Sequence, residues 1–155
     1  MNQNFMARAI ELSIENVRSG RGGPFGAVVV KNGRIVAEAA NRVTVSNDPT
    51  AHAEVVAIRE ACGRLGQFEL RDCEIYASCE PCPMCLGAIY WARLERIYFA
   101  SVADDASKVG FDDSFLYREL NLPMAQRRVP MVQMMRGEAL LAFKLWRDKP
   151  DKITY

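Results

Sequence analysis

An Asn32-Gly33 dipeptide separates two apolar runs, Ala27 to Val30 and Ile35 to Ala39. Asn and Gly both tolerate the positive φ of a two-residue turn, so the pattern predicts an antiparallel hairpin. The segments around it do not continue as strands. Before it, Met6, Ala9, Ile10, Ile14 and Val17 recur at helical spacing, interrupted only by Ser13, and the pattern ends before Gly20. After it, Asp48, Pro49 and Thr50 give a helix-start signal ahead of a stripe of Ala53, Val56, Ala57 and Ala61 that stops near Gly63 and Gly66. Cys73 to Ser78 reads as a buried strand, Pro83 to Ala92 as a helix and Arg96 to Ala100 as another strand. The order is then αββαβαβ. Strands separated by helices of this length call for crossover connections and a parallel arm beyond the hairpin, with helices on both faces. Further on, the pattern predicts a short helix around Ser114 to Glu119, a loop over Asn121 to Pro130, a fifth strand around Met131 to Met134 and a last helix over Gly137 to Asp148.

With 155 residues, half of them apolar and a quarter charged, the chain has the make-up of one ordinary globular domain. The net charge of +1 gives no overall field for phosphate backbones or anionic lipids. Charge is uneven, however: residues 121–155 hold seven basic and three acidic side chains, whereas residues 1–120 lean negative. No stretch is long and apolar enough to span a bilayer, and Met1 to Ser19 lacks the uninterrupted core of a signal peptide. A cytoplasmic location is expected. Five cysteines fit a disulfide framework poorly, so packed or metal-bound thiols are expected instead.

The single histidine, His52, stands two residues before Glu54 at the start of a helix. Downstream runs Cys79-Glu80-Pro81-Cys82-Pro83-Met84-Cys85. At a helix N-terminus, residues i and i+3 share a face, so a Cys-X-X-Cys pair can present two thiolates to one Zn²⁺, and the positive helix end favours their ionised form. His52 makes a third donor. Three protein donors leave a position for water, the pattern of a catalytic rather than a structural zinc, and Glu54 is placed to carry protons beside it. The competing reading is a closed site of His52, Cys79, Cys82 and Cys85 serving an interaction module. Cys79 ends a strand, and three cysteines at successive spacings of three cannot all adopt one helical turn, which favours the open set.

His52-Ala53-Glu54 followed by Pro81-Cys82-Pro83-Met84-Cys85 resembles the His-X-Glu and Pro-Cys-X-X-Cys pair of the zinc-dependent cytidine/deoxycytidylate deaminase superfamily. Residues 22–30, 47–54, 78–92 and 110–115 look like the branch acting on guanine, and the likeness reaches the final Tyr155. The resemblance implies a three-layer α/β/α cytidine-deaminase-like fold with a five-stranded mixed sheet, and hydrolysis of guanine to xanthine and ammonia. One Zn²⁺ per subunit would sit on His52, Cys82 and Cys85. Zinc-bound hydroxide would attack C2 while Glu54 shuttles protons. Phe25 would stack on the base, Asn41 and Asp113 would hydrogen bond it, the backbone at Ala53 would orient the leaving group, and Tyr155 would close the pocket. The branch also implies a homodimer in which the C-terminal segment, residues 131–155, is exchanged between subunits about a hinge at Asn121 to Pro130. The whole chain, residues 1–155, would then be a single deaminase domain.

Several of these positions have plainer readings. Phe25 also suits core packing, Asn41 a turn, and Asp112 and Asp113 a helix cap. Glu80 stays outside the catalytic set. Tyr90 and Trp91 read as core, and Cys62, Cys73 and Cys79 as small buried hydrophobes. Leu140, Leu141, Phe143, Leu145 and Trp146 form a dense apolar cluster suited to burial against another surface. The rival substrates are another aminated heterocycle, such as cytosine or a triazine, and adenosine in a tRNA loop. A tRNA enzyme should gather its Lys and Arg into a phosphate-tracking surface, whereas here they are interleaved with acids. The expected partner is therefore a small nucleobase, with neither nucleic acid nor membrane.

Overall fold

The computed structural model describes residues 2–155. The chain divides into two units, one running to Asp113 and one from Ser114 to Tyr155. In the first, helix α1 (Gln3–Arg18) starts where the Asn2 side chain accepts from the Asn4 N–H at 3.0 Å. Strands β1 (Gly26–Lys31) and β2 (Arg34–Ala40) form the expected hairpin, and Asn32 and Gly33 both take positive φ, 50° and 71°. A short helix α2 (Val43–Ser46) leads to α3 (Ala53–Leu65), which ends on left-handed Gly66. Strand β3 (Cys73–Cys79), helix α4 (Pro83–Trp91), strand β4 (Arg96–Ser101) and the five-residue helix α5 (Ala103–Ser107) complete the unit.

The sheet order is β2-β1-β3-β4. β1 pairs antiparallel with both β2 and β3, while β3 and β4, joined through α4, run parallel. The sheet is mixed, with its parallel arm beyond the hairpin as expected. Alternation along β1 builds two cores. Ala27 and Val29 face Ala57 and Ala61 of α3 and Ile89 of α4, whereas Val28 and Val30 face Ala9 of α1 and Tyr76. Helices therefore cover both faces, α1 on one side and α3 with α4 on the other. Cys73 and Cys79 are buried and Cys62 is half-buried, as small apolar residues would be.

Two expectations are corrected. Among the described residues the sheet has four strands rather than five, because residues 131–135 are exposed and the second unit holds no extended partner for their backbone. Tyr90 and Trp91 are 70% and 64% exposed rather than core. Helix α4 is apolar all round and buries only the Cys85 and Ile89 stripe, so the two aromatics that follow Ile89 turn outward.

The second unit consists of α6 (Ser114–Asn121), a 3-10 turn (Met124–Gln126) and α7 (Arg136–Asp148). None of its described residues is buried. Leu141, Phe143 and Leu145 stand exposed on α7.

Candidate metal centre

Two helix starts carry the donors. His52 is the N-cap of α3 and Cys82 the N-cap of α4; both have extended backbone, and Pro83 at the first position of α4 needs no N–H partner there. The loop before His52 is held from both sides. Asp48 accepts from the Thr50 N–H at 2.8 Å and the Thr50 hydroxyl at 2.7 Å, and the Arg42 N–H donates to the Ala51 carbonyl at 2.9 Å. Cys85 follows one turn into α4 and is fully buried.

The Nδ1 atom of His52 lies 3.6 Å from Cys82 Sγ and 3.5 Å from Cys85 Sγ. Bonds of about 2.0 Å to nitrogen and 2.3 Å to sulfur at tetrahedral angles place those atoms about 3.6 Å apart, so both nitrogen–sulfur distances suit one shared Zn²⁺. These three residues are the only described group of histidine, cysteine and acidic side chains whose donor atoms converge in this way. Cys79 points elsewhere, its thiol donating to the Val102 carbonyl at 3.7 Å.

The Cys82 thiol is pushed down to about 4, chiefly by the hydrogen bond from Cys85 and further by His52, against the opposing effect of burial. Cys85 is pushed up, first by that same bond to Cys82 and then by burial and the Glu54 charge. His52 is raised, mainly by its bond to Cys82. A thiol held below its ordinary value beside a histidine suits capture of a divalent cation.

Glu54 sits on the first turn of α3, 7% exposed, and its Oε2 accepts from Cys85 Sγ at 3.5 Å. Burial is the main cause of its raised pKa, assisted by the Cys82 charge. A buried carboxyl that holds a proton more readily than usual, next to a metal site, has the character of a general acid and base.

The other predicted residues fall as follows. Phe25 is half-buried and packs edge-on against Phe111, with ring centroids 4.9 Å apart, which draws the segments leading to Phe25 and to Asp113 together. Asn41 is buried. Its Oδ1 accepts from the Val43 N–H at 3.2 Å, while its Nδ2 has no hydrogen-bond partner among the described residues. Ala53 is the fully buried first residue of α3. Asp113 is half-buried and its carboxyl is raised, first by burial and then by the Cys82 charge, whereas Asp112 is exposed. Tyr155 ends the second unit and is 74% exposed. Glu80 is occupied: its Oε2 accepts from the Ala103 N–H at 3.2 Å at the start of α5. Asn16, which sequence reasoning passed over, proves to be a buried polar residue that bonds to the chain beside Phe25 and Asn41. Its signal was a polar side chain lying three residues beyond Ser13 on the inward stripe of α1.

Residues 1–101 match the model of the cytidine and deoxycytidylate deaminase zinc-binding region. The chain is 53% identical to guanine deaminase of Bacillus subtilis over 154 residues, 99% of each chain. The crystal structure of a guanine deaminase from that organism superposes with a TM-score of 0.97 at 54% identity, covering 100% of this chain and 99% of that one. A tRNA-specific adenosine deaminase of Haemophilus influenzae is 35% identical over 142 residues, covering 83% of this chain and 82% of the relative. With that zinc-binding region spanning the described triangle and a full-length relative at this identity, the chain belongs to the cytidine and deoxycytidylate deaminase family.

Proposed function

We propose that this chain hydrolyses guanine to xanthine and ammonia. The observation that carries the choice of base is the likeness to a guanine deaminase along all of both chains, including the residues beyond the zinc-binding region. The likeness to a tRNA adenosine deaminase is lower and stops short of the full length.

His52, Cys82 and Cys85 would hold the zinc, which when bound brings the pKa of a water molecule down to about 7 and so supplies a nucleophile near neutral pH. The remaining steps belong to the chain's own groups. Glu54 would take one proton from the attacking water and deliver it to the ring nitrogen next to C2, then take the second from the hydroxyl now on C2 and pass it to the amine, which leaves as ammonia as the C2 carbonyl forms. Phe25 stacks on the purine face, and the free Nδ2 of Asn41 donates to an acceptor on the base edge. The Asp113 carboxylate accepts from ring N–H groups, and the backbone at Ala53 orients the amine.

The active form in this reading is a homodimer that exchanges residues 131–155 about a hinge at 121–130, so that the partner subunit's Tyr155 closes the pocket. Support comes from the second unit itself, which buries none of its described residues and exposes Leu141, Phe143 and Leu145. Exchange of an element between identical chains is a low-cost route to a symmetric dimer. No helix of the described residues is long and apolar enough to cross a membrane. The enzyme works in the cytoplasm, in purine breakdown and salvage.

The test is direct: zinc-loaded protein is incubated with guanine, and xanthine and ammonia should appear in equal amounts. No turnover at full zinc occupancy overturns the reading. Turnover of a tRNA substrate instead, with a rate that collapses as salt rises, assigns the chain to the nucleic-acid branch.

A further inference from the structure

We infer that Asn16 is a positioning residue for base recognition, acting through the backbone that carries Phe25 and Asn41. The inference rests on the reading of those two residues as contacts to the purine. Asn16 lies on the inward face of α1, 2% exposed. Its Nδ2 donates to two carbonyls, Gly23 at 2.9 Å and Asn41 at 2.9 Å. One side-chain amide thus uses both of its hydrogens to tie the turn before Phe25 to the end of β2.

The backbone reinforces the tie. The Asn41 N–H donates to the Phe25 carbonyl at 3.0 Å, and the Arg21 N–H donates to the Asn16 carbonyl at 3.1 Å. Gly22 is enclosed by the same clamp: a Cβ there would stand 2.5 Å from the Asn41 carbonyl oxygen and 2.9 Å from Asn16 Nδ2. The Asn16 hydrogen bonds reach neither His52, Cys82, Cys85 nor Glu54. Loss of the clamp therefore releases the two base contacts relative to one another and leaves the metal donors and proton carrier in place. Buried carbonyls deprived of their donor do not stay where they were, because each seeks water or a new partner. The effect falls on substrate binding before it falls on chemistry.

The experiment uses zinc-loaded full-length protein. Asn16→Leu keeps the branching and the number of heavy atoms of the side chain and removes both donors. For this variant KM for guanine should rise about tenfold while kcat stays within about threefold, at one zinc per chain. A purely structural role lowers the melting temperature and leaves KM of the folded fraction unchanged. A KM within about twofold of wild type in folded, zinc-loaded protein overturns the inference. Should the variant not fold, the wild-type protein serves: titration with the product xanthine should shift the Asn16 side-chain amide resonances, and unmoved resonances at saturation overturn it. A wild-type enzyme that neither turns over guanine nor binds xanthine sinks the functional reading and this inference together, an outcome visible before any substitution is made.

Discussion

Glu54 Oε2 accepts a hydrogen bond from Cys85 Sγ at 3.5 Å, so the buried carboxyl rests directly on a metal donor. Both groups are held by the first turn of a helix, α3 for the acid and α4 for the thiol. The distance from the Glu54 carboxyl to the Cys85 donor is thereby set by how two helices pack and not by a flexible loop. A change at the carboxyl can leave the donors where they stand.

Glu54→Gln should accordingly keep its zinc and lose its turnover. The amide preserves shape but cannot cycle a proton, and the expected fall in kcat is about 10²-fold to 10⁴-fold. Metal analysis and guanine turnover on the same preparation check this. An active Glu54→Gln protein removes the acid and base role, and loss of zinc from it means the carboxyl supports the site structurally.

Removal of the metal should abolish turnover and lower the melting temperature, with both restored by added Zn²⁺, because cation binding to the folded donor set adds to folding stability. Cys85→Ser should weaken zinc binding by about tenfold or more, since a hydroxyl is a poor replacement for a buried thiolate. Competition with a coloured chelator measures the affinity. Unchanged affinity in Cys85→Ser would remove that residue from the donor set.

A pH-dependent effect is expected far from the centre, where Arg8 of α1 meets Glu38 of β2. Arg8 Nε reaches Glu38 Oε2 at 3.0 Å and Nη2 reaches Oε1 at 2.7 Å. These hydrogen bonds are the main reason the Glu38 carboxyl lies below its ordinary value. A depressed carboxylate stabilises the folded chain above its unfolded pKa of about 4.3, and the contribution is lost as pH falls through the lower folded value. Glu38→Gln should therefore cost up to roughly 1 kcal/mol at pH 7, a modest sum because both side chains are partly exposed, and the difference should close as pH approaches 3. Thermal melts across that range test it. A gap as wide at pH 3 as at pH 7 assigns the effect to packing.

In the proposed exchanged dimer, α7 would be the most sensitive element. Charged substitutions at Leu141 and Phe143, both exposed within the single chain, should shift the sedimentation coefficient from dimer to monomer and reduce guanine turnover. A wild-type protein that sediments as a monomer at micromolar concentration removes the exchange.

Local chemistry made much of the first unit legible in the sequence. Asn32-Gly33 announced the hairpin, and the short apolar runs at 73–78 and 96–100 announced β3 and β4, each of which extends one residue further. The metal triangle was readable because two thiols and an imidazole at those spacings have few other uses. What stayed hidden depended on partners distant in sequence. Met131 to Met134 has the composition of a strand, yet a strand exists only where another edge receives its hydrogen bonds. Tyr90 and Trp91 end a helix with no polar face, so sequence alone could not say which side the core would claim. Asn16 has the appearance of a solvent-facing residue until the carbonyls of Gly23 and Asn41 are seen above its amide.

The donors of the metal centre stand on helix starts braced by the core, while Phe25, Asn41 and Asp113 stand at the ends of connecting segments. For protein engineering this is a separation of reactive power from choice of target. Under the proposed roles of Phe25 and Asp113, libraries confined to the turns around them should retune which heterocycle is admitted, with the metal donors inherited intact by every member.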